Sequence, residues 1–107
     1  NPLPTAVFCP NDAIAASVIK TLTQLGFKIP DELSVMGFDG DYIGAHILPA
    51  LSTMVVPRNE MGSSAVARLR QLISGQPVSS LLLPVSLLER DSVKDISSQK
   101  QAQTMAS

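Results

Sequence analysis

The order strand, helix, strand within residues 5–39 constrains the fold of this chain more than any other feature. Residues 5–9 form a short, continuous apolar run, typical of a strand that is buried on both faces of a parallel sheet, and residues 33–38 form a second such run. Between them, residues 13–25 carry apolar side chains at helical spacing, and Gly26 can end that helix in a left-handed conformation. This order predicts a right-handed βαβ crossover, and therefore an α/β fold with a mostly parallel sheet flanked by helices.

The second half of the chain continues the same pattern. Residues 42–48 predict a short helical turn, and residues 51–56 predict a third strand. Pro57 predicts the start of a second long helix. Residues 81–89 are strand-like, and Pro84 restricts part of this run to a sheet edge or a crossover. The apolar face of the second helix repeats at helical spacing through Met61, Ala65, Leu69 and Leu72.

Length and composition predict one folded domain followed by a polar C-terminal segment. The 107 residues are 45% hydrophobic and 16% charged, which suits a single packed core. Residues 1–93 are predicted to form the domain, and the polar, low-complexity residues 94–107 are predicted to be a disordered tail. Because the chain begins at Asn1 in a loop-like stretch, we expect it to be a piece of a larger protein.

Charge and cysteine content limit the kinds of binding partner and the cellular compartment that are expected. The net charge is −1 and the eight Lys and Arg residues are scattered, so no basic surface for a nucleic-acid backbone or an anionic membrane is expected. The apolar runs are too short to span a bilayer. The single cysteine, Cys9, excludes an intrachain disulfide and favours a buried thiol in a reducing, cytoplasmic setting.

Polar side chains follow both strands of the βαβ unit. Asn11 and Asp12 follow the first strand, and Asp39 and Asp41 follow the second. Ligands of open parallel sheets bind outside the carboxyl ends of the strands, and a carboxylate beside an amide suits a sugar diol or a ribose. Either Asn11 or Asp12 can cap the helix that follows. Capping alone explains Asp12, and a solvated turn or a cap explains Asp41, whereas Asn11 and Asp39 fit a ligand contact as well as a structural role.

Little in the sequence points to catalysis. His46 is the only histidine, so His and Cys cannot build a metal cluster, and it is predicted to be a surface or interface residue. No nucleophile-elbow, phosphate-loop or dinucleotide motif occurs. We therefore predict no catalytic residue, no metal and no cofactor. One weaker alternative remains, in which Asp39 and Asp41 hold Mg²⁺ in an enzyme or a phospho-receiver domain.

Five segments, in order and at matching spacing, resemble the effector-binding domain of LacI/GalR-type transcriptional repressors. The segments are residues 4–16, 26–39, 49–53, 57–62 and 83–90. The resemblance implies the C-terminal subdomain portion of a periplasmic-binding-protein-like fold, whose cleft holds a small effector, a sugar or a nucleoside. It also implies allosteric control of operator DNA through an N-terminal DNA-binding part that is absent from this chain. A periplasmic sugar-binding protein of a transporter, which shares the fold, is the main alternative.

The resemblance also implies roles for particular residues. Asn11 and Asp39 fall on positions that bind the effector in the family, and Asp12 falls on the acid beside that Asn. The family forms homodimers partly through the first helix of this half and the turn after the second strand. On this chain the corresponding dimer-interface residues are Ala13, Ala16, Ile19, Lys20, Tyr42 and Ile47. Core packing explains the small apolar residues of the helix equally well.

Overall fold

A computed structural model describes residues 3–98 of the chain. The elements follow the predicted order. They are β1 (Ala6–Phe8), α1 (Asp12–Gln24), β2 (Ser34–Asp39), a 3₁₀ turn (Tyr42–His46), β3 (Ser52–Val55), α2 (Arg58–Ile73) and β4 (Ser86–Leu88). The predicted helix at residues 13–25 is confirmed with a shift of one residue, and Gly26 follows it with φ +93°.

The four strands form one mostly parallel sheet in the order β1, β2, β3, β4. β1, β2 and β3 are parallel, and β4 pairs antiparallel with β3 at the far edge. The predicted α/β class is thus confirmed. The prediction that the first strand is buried on both faces is wrong. β1 is an edge strand in which Ala6 and Phe8 are exposed, because α1 covers only one face of the sheet and successive side chains point to opposite faces.

The core lies between α1 and the middle of the sheet. Val35 of β2 is fully buried, and Ala15 and Ile19 on one side of α1 pack against it. Ile14, on another side of the helix, is 45% exposed, so the apolar first turn is only partly covered. The buried hydrophobic cluster consists of Cys9, Ala15, Ile19, Val35 and Leu51.

The segment after β4 ties the sheet together at the start of β2 and β3. The Ser92 hydroxyl donates to the Val35 carbonyl and accepts from the Ser52 amide at 2.9 Å, and Ser92 is fully buried. The Lys94 amide donates to the Ser34 hydroxyl at 3.0 Å. The proposed tail at residues 94–107 therefore begins beside the sheet. Its residues 99–107 lie outside the described part of the chain, and the domain boundary stays a prediction.

α2 extends away from the sheet, and none of its residues is buried. Its predicted apolar face is exposed, with 56% of Leu69 and 60% of Leu72 open to solvent. An apolar groove of about 490 Å³ lies between α2 and residues 79–85, and Met61 and Ala65 are among the residues that line it. The described residues are elongated, with extents of 64 × 33 × 23 Å. A large apolar surface in water favours association.

We expect the 107-residue chain to self-associate through this α2 face. Replacing both Leu69 and Leu72 with lysine should lower the average mass at high concentration to that of a monomer, because two desolvated charges oppose burial of the face. Sedimentation velocity over a range of concentrations measures this. Ser63→Lys with Gln71→Lys adds the same charge on the other side of α2 and should leave association unchanged. A wild-type chain that stays monomeric at high concentration would contradict the prediction.

Candidate functional site

The polar residues predicted to share one sheet edge do so. Asp12 begins α1 directly after β1, and the backbone amide of Asp41, just beyond β2, donates to Asp12 Oδ2 at 2.6 Å. Because β1 and β2 are parallel neighbours, their carboxyl ends open on the same side. The Asn11–Asp12 and Asp39–Asp41 pairs are therefore brought to one place, and this group of four residues with Gly40 is called the polar edge below.

Asp12 lies beneath the polar edge rather than on its surface. It is fully buried, and its Oδ1 accepts a hydrogen bond from the Thr53 hydroxyl at 2.6 Å. Gly37 leaves the space for this carboxylate, since a Cβ there would overlap Asp12 Oδ1. The Asp12 carboxylate thus connects two elements, since one oxygen accepts a hydrogen bond from β3 and the other from the turn after β2.

Of the two residues able to cap the first helix, Asn11 does so and Asp12 does not. Asn11 Oδ1 accepts from the Ile14 amide at 2.8 Å, and the Asn11 backbone is extended, as is usual for a residue before a helix. Asp12 stands one position further, inside the helix, where its side chain turns inward. Asn11 remains half-buried at the polar edge with its side-chain amide nitrogen free of the cap.

Asp39 has an unusual backbone conformation for a residue other than glycine. Its φ is +118°, and it is the only non-glycine residue with positive φ among residues 3–98. Such a conformation costs on the order of 1–3 kcal/mol and persists where surrounding contacts enforce it. Gly40 follows with φ +77°, and a Cβ there would lie 3.1 Å from the Val55 Cα, so β3 passes close to this turn. The half-buried Asp39 carboxylate accepts no hydrogen bond from the described residues.

Asp41 stands at the solvent side of the polar edge. Its carboxylate lies 3.6 Å from an Arg58 guanidinium nitrogen at the start of α2, and both side chains are about half exposed. An exposed pair of this kind stabilises the fold by about 0–1 kcal/mol. Asp41 precedes the 3₁₀ turn without a side-chain capping bond, so the solvated role predicted for it fits its position.

Thr53 is the residue of this site that sequence reasoning missed. It lies in β3, is fully buried, and reaches the polar edge from a third strand. The available signal was a pair of hydroxyl residues, Ser52 and Thr53, inside an otherwise apolar strand. Buried hydroxyls require partners, and within residues 3–98 every buried side-chain nitrogen or oxygen has one.

Five of the six residues predicted for a dimer interface line one surface groove, and Tyr42 is not part of its lining. Ile19 is 3% exposed and belongs to the core, which agrees with the packing alternative. Tyr42 is 78% exposed and its ring meets His46 edge to face at a centroid distance of 5.0 Å. A surface groove between α1 and the 3₁₀ turn, here called the α1–turn groove, is lined by Ala13, Ala16, Ile19, Lys20 and Ile47 together with Ile43 and Leu48.

Three further properties of the described residues concern the thiol, metal binding and membrane spanning. Cys9 is buried as predicted, and burial raises the pKa of its thiol, which makes it a poor nucleophile. Across residues 3–98 no group of three or more His, Cys, Asp or Glu side chains is placed to hold a metal ion. Neither helix of that same range is both long and apolar enough to cross a membrane.

Residues 1–93 match the periplasmic binding protein-like domain family, and the chain belongs to it. The ribose operon repressor of Haemophilus influenzae is 37% identical over 92 residues, which are 84% of this chain and 28% of that protein. A periplasmic binding protein/LacI transcriptional regulator from Alkaliphilus metalliredigens, solved with D-xylulofuranose, superimposes with a TM-score of 0.78 at 30% identity. That match covers 85% of this chain and 35% of the other.

The Lac repressor dimer bound to operator and an anti-inducer superimposes with a TM-score of 0.79 at 34% identity. It covers 84% of this chain and 28% of the repressor chain. The resemblance to LacI-type repressors, drawn above from five segments, is confirmed by these relatives. The chain spans less than a third of the length of the curated relatives it matches.

Proposed function

We propose that this chain is the C-terminal part of the effector-binding domain of a LacI-type transcriptional repressor, and that its polar edge forms one wall of the effector cleft. Effector binding would shift the population between two arrangements of the domain and so control operator binding by an N-terminal DNA-binding part. The supporting observation is the half-buried Asp39 carboxylate, held in a strained turn and without a protein partner among residues 3–98.

The chemistry of the polar edge favours a neutral polyol as effector. The Asp39 carboxylate can accept from two hydroxyls at once, and the Asn11 amide nitrogen can donate to a third oxygen. A sugar or the ribose of a nucleoside offers this arrangement. One relative is a ribose operon repressor, and one similar structure was solved with D-xylulofuranose. Both support a sugar-like effector.

The repressor is preferred over a transporter's sugar-binding protein because the named relatives regulate operons. With this role we propose a cytoplasmic location and no catalytic step. We further propose a homodimer through the α1–turn groove. Its supporting features are the exposed Ile43 and Leu48, the latter 90% exposed, beside the small side chains of Ala13 and Ala16.

Nuclear magnetic resonance titration tests the effector proposal on the chain itself, since shift changes report even millimolar affinity. D-ribose, D-xylulose and adenosine are added in turn to the ¹⁵N-labelled chain. We expect at least one of them to shift the amides of Asn11, Asp39 and Gly40. Asp39→Asn should weaken that binding at least tenfold, because a hydrogen bond to a charged group contributes about 1.5–3 kcal/mol.

Asp31→Asn is the matched control, since Asp31 is an exposed acid at the far end of β2 from the polar edge. It should bind the same probe with unchanged affinity. Equal affinity of wild type and Asp39→Asn would move the site away from Asp39. No shift at the polar edge with any of the three probes would exclude the proposed effector class.

A further inference from the structure

A directed chain of hydrogen bonds runs under the turn that carries Asp39. The Gly40 amide donates to Thr53 Oγ1 at 3.4 Å, and the Thr53 hydroxyl donates to Asp12 Oδ1 at 2.6 Å. The direction is fixed, because Thr53 has a single hydroxyl proton and an amide can only donate. The second oxygen of Asp12 accepts from the Asp41 amide at 2.6 Å. Two successive amides after Asp39 are thus held by one buried pair.

These bonds act on the one strained turn of the polar edge. Asp39 and Gly40 both have positive φ, a region that costs little for glycine and much more for aspartate. The Asp39 carbonyl is also fixed, since it accepts from the Val56 amide at 3.2 Å. The turn is therefore restrained by β3 on one side and by Asp12 on the other. Several such restraints together are needed to keep a strained backbone conformation in place.

We infer that Thr53 and Asp12 are positioning residues, which set effector affinity by holding the backbone of Asp39 in its binding conformation without touching the effector. This inference rests on the proposed function of the polar edge. Both residues are fully buried, so their polar atoms are not open to a ligand, and each already has a hydrogen-bond partner inside the protein. Their influence on binding must pass through the turn.

The test compares Thr53→Val, which keeps the shape and removes the hydroxyl, with Thr53→Ser, which keeps the hydroxyl. The first readout is amide hydrogen exchange of Gly40 and Asp41, measured against the core amide of Ile19. In Thr53→Val the two turn amides should exchange at least tenfold faster relative to Ile19. Thr53→Ser should restore their protection to within threefold of wild type.

Ser92→Ala is the control for general loss of stability, because Ser92 is equally buried and hydrogen-bonded but lies at the opposite end of the sheet. It should raise exchange at Ile19 as much as at Gly40 and Asp41. A structural role alone would give Thr53→Val this same uniform pattern. Unchanged relative exchange of Gly40 and Asp41 in Thr53→Val would overturn the positioning role, whether or not an effector is known.

The second readout is affinity for whichever of D-ribose, D-xylulose and adenosine shifts the Asp39 amide of the wild-type chain. Thr53→Val should weaken it at least tenfold, with Thr53→Ser within threefold of wild type. Full affinity in Thr53→Val, with its turn amides exposed to exchange, would refute the link to binding. If no probe shifts Asp39 in wild type, the proposed effector class fails, and the exchange data alone decide the role of the pair in the turn.

Discussion

Asp12→Ala should lower the free energy of unfolding by about 2–5 kcal/mol. This is the largest effect that we expect from a single substitution in this chain. Asp12 is fully buried and accepts from the Thr53 hydroxyl and the Asp41 amide. Its removal leaves both donors buried or half-buried without an acceptor, and each unsatisfied group costs about 1–3 kcal/mol. Urea denaturation followed by circular dichroism measures the change.

Two further variants test how the cost depends on the number of acceptor oxygens at residue 12 and on the loss of an acid in general. Asp12→Asn keeps the size and one acceptor oxygen but presents an amide group to one of the two donors, so it should cost roughly half as much. Asp31→Ala removes an exposed acid and should stay within about 0.5 kcal/mol of wild type. A cost for Asp12→Ala as small as that of Asp31→Ala would contradict a structural role for this carboxylate.

Much of the fold follows from local features of the sequence, because each predicted element has its own signals. The first helix has a capping Asn11 and a terminal Gly26, and its apolar side chains recur at helical spacing, so its bounds are correct to one residue. The shared edge of Asn11 and Asp39 follows from topology alone, since neighbouring parallel strands end on the same side.

The features that were missed depend on contacts between distant parts of the chain. An acid at a helix start suits a cap, and only the position of Thr53, 41 residues later, shows that Asp12 turns inward instead. The exposure of Phe8 depends on which face of the sheet α1 covers, and the apolar content of a strand alone cannot show whether both of its faces are covered.

Gly37→Ala is the second substitution with a large expected effect, and it acts on the same buried carboxylate. A Cβ at residue 37 would overlap Asp12 Oδ1 and lie 2.9 Å from Leu51 Cδ2, and Leu51 is fully buried. Neither neighbour is the free end of an exposed side chain, so the methyl group must displace a core leucine and a hydrogen-bonded acid. Overpacking of this kind costs about 1–3 kcal/mol, and disturbing the bonds of Asp12 adds to it.

The same chemical change elsewhere in the chain should have the opposite sign. A Cβ at Gly62 of α2 meets nothing within 4 Å, so Gly62→Ala should stabilise the chain by about 0.5–1 kcal/mol through helix propensity. Coupling gives the sharper test of mechanism. If Gly37→Ala acts mainly by displacing Asp12, its cost should fall in the Asp12→Ala background, because the carboxylate it overlaps is gone. Additive costs in the double variant would instead place the strain on Leu51.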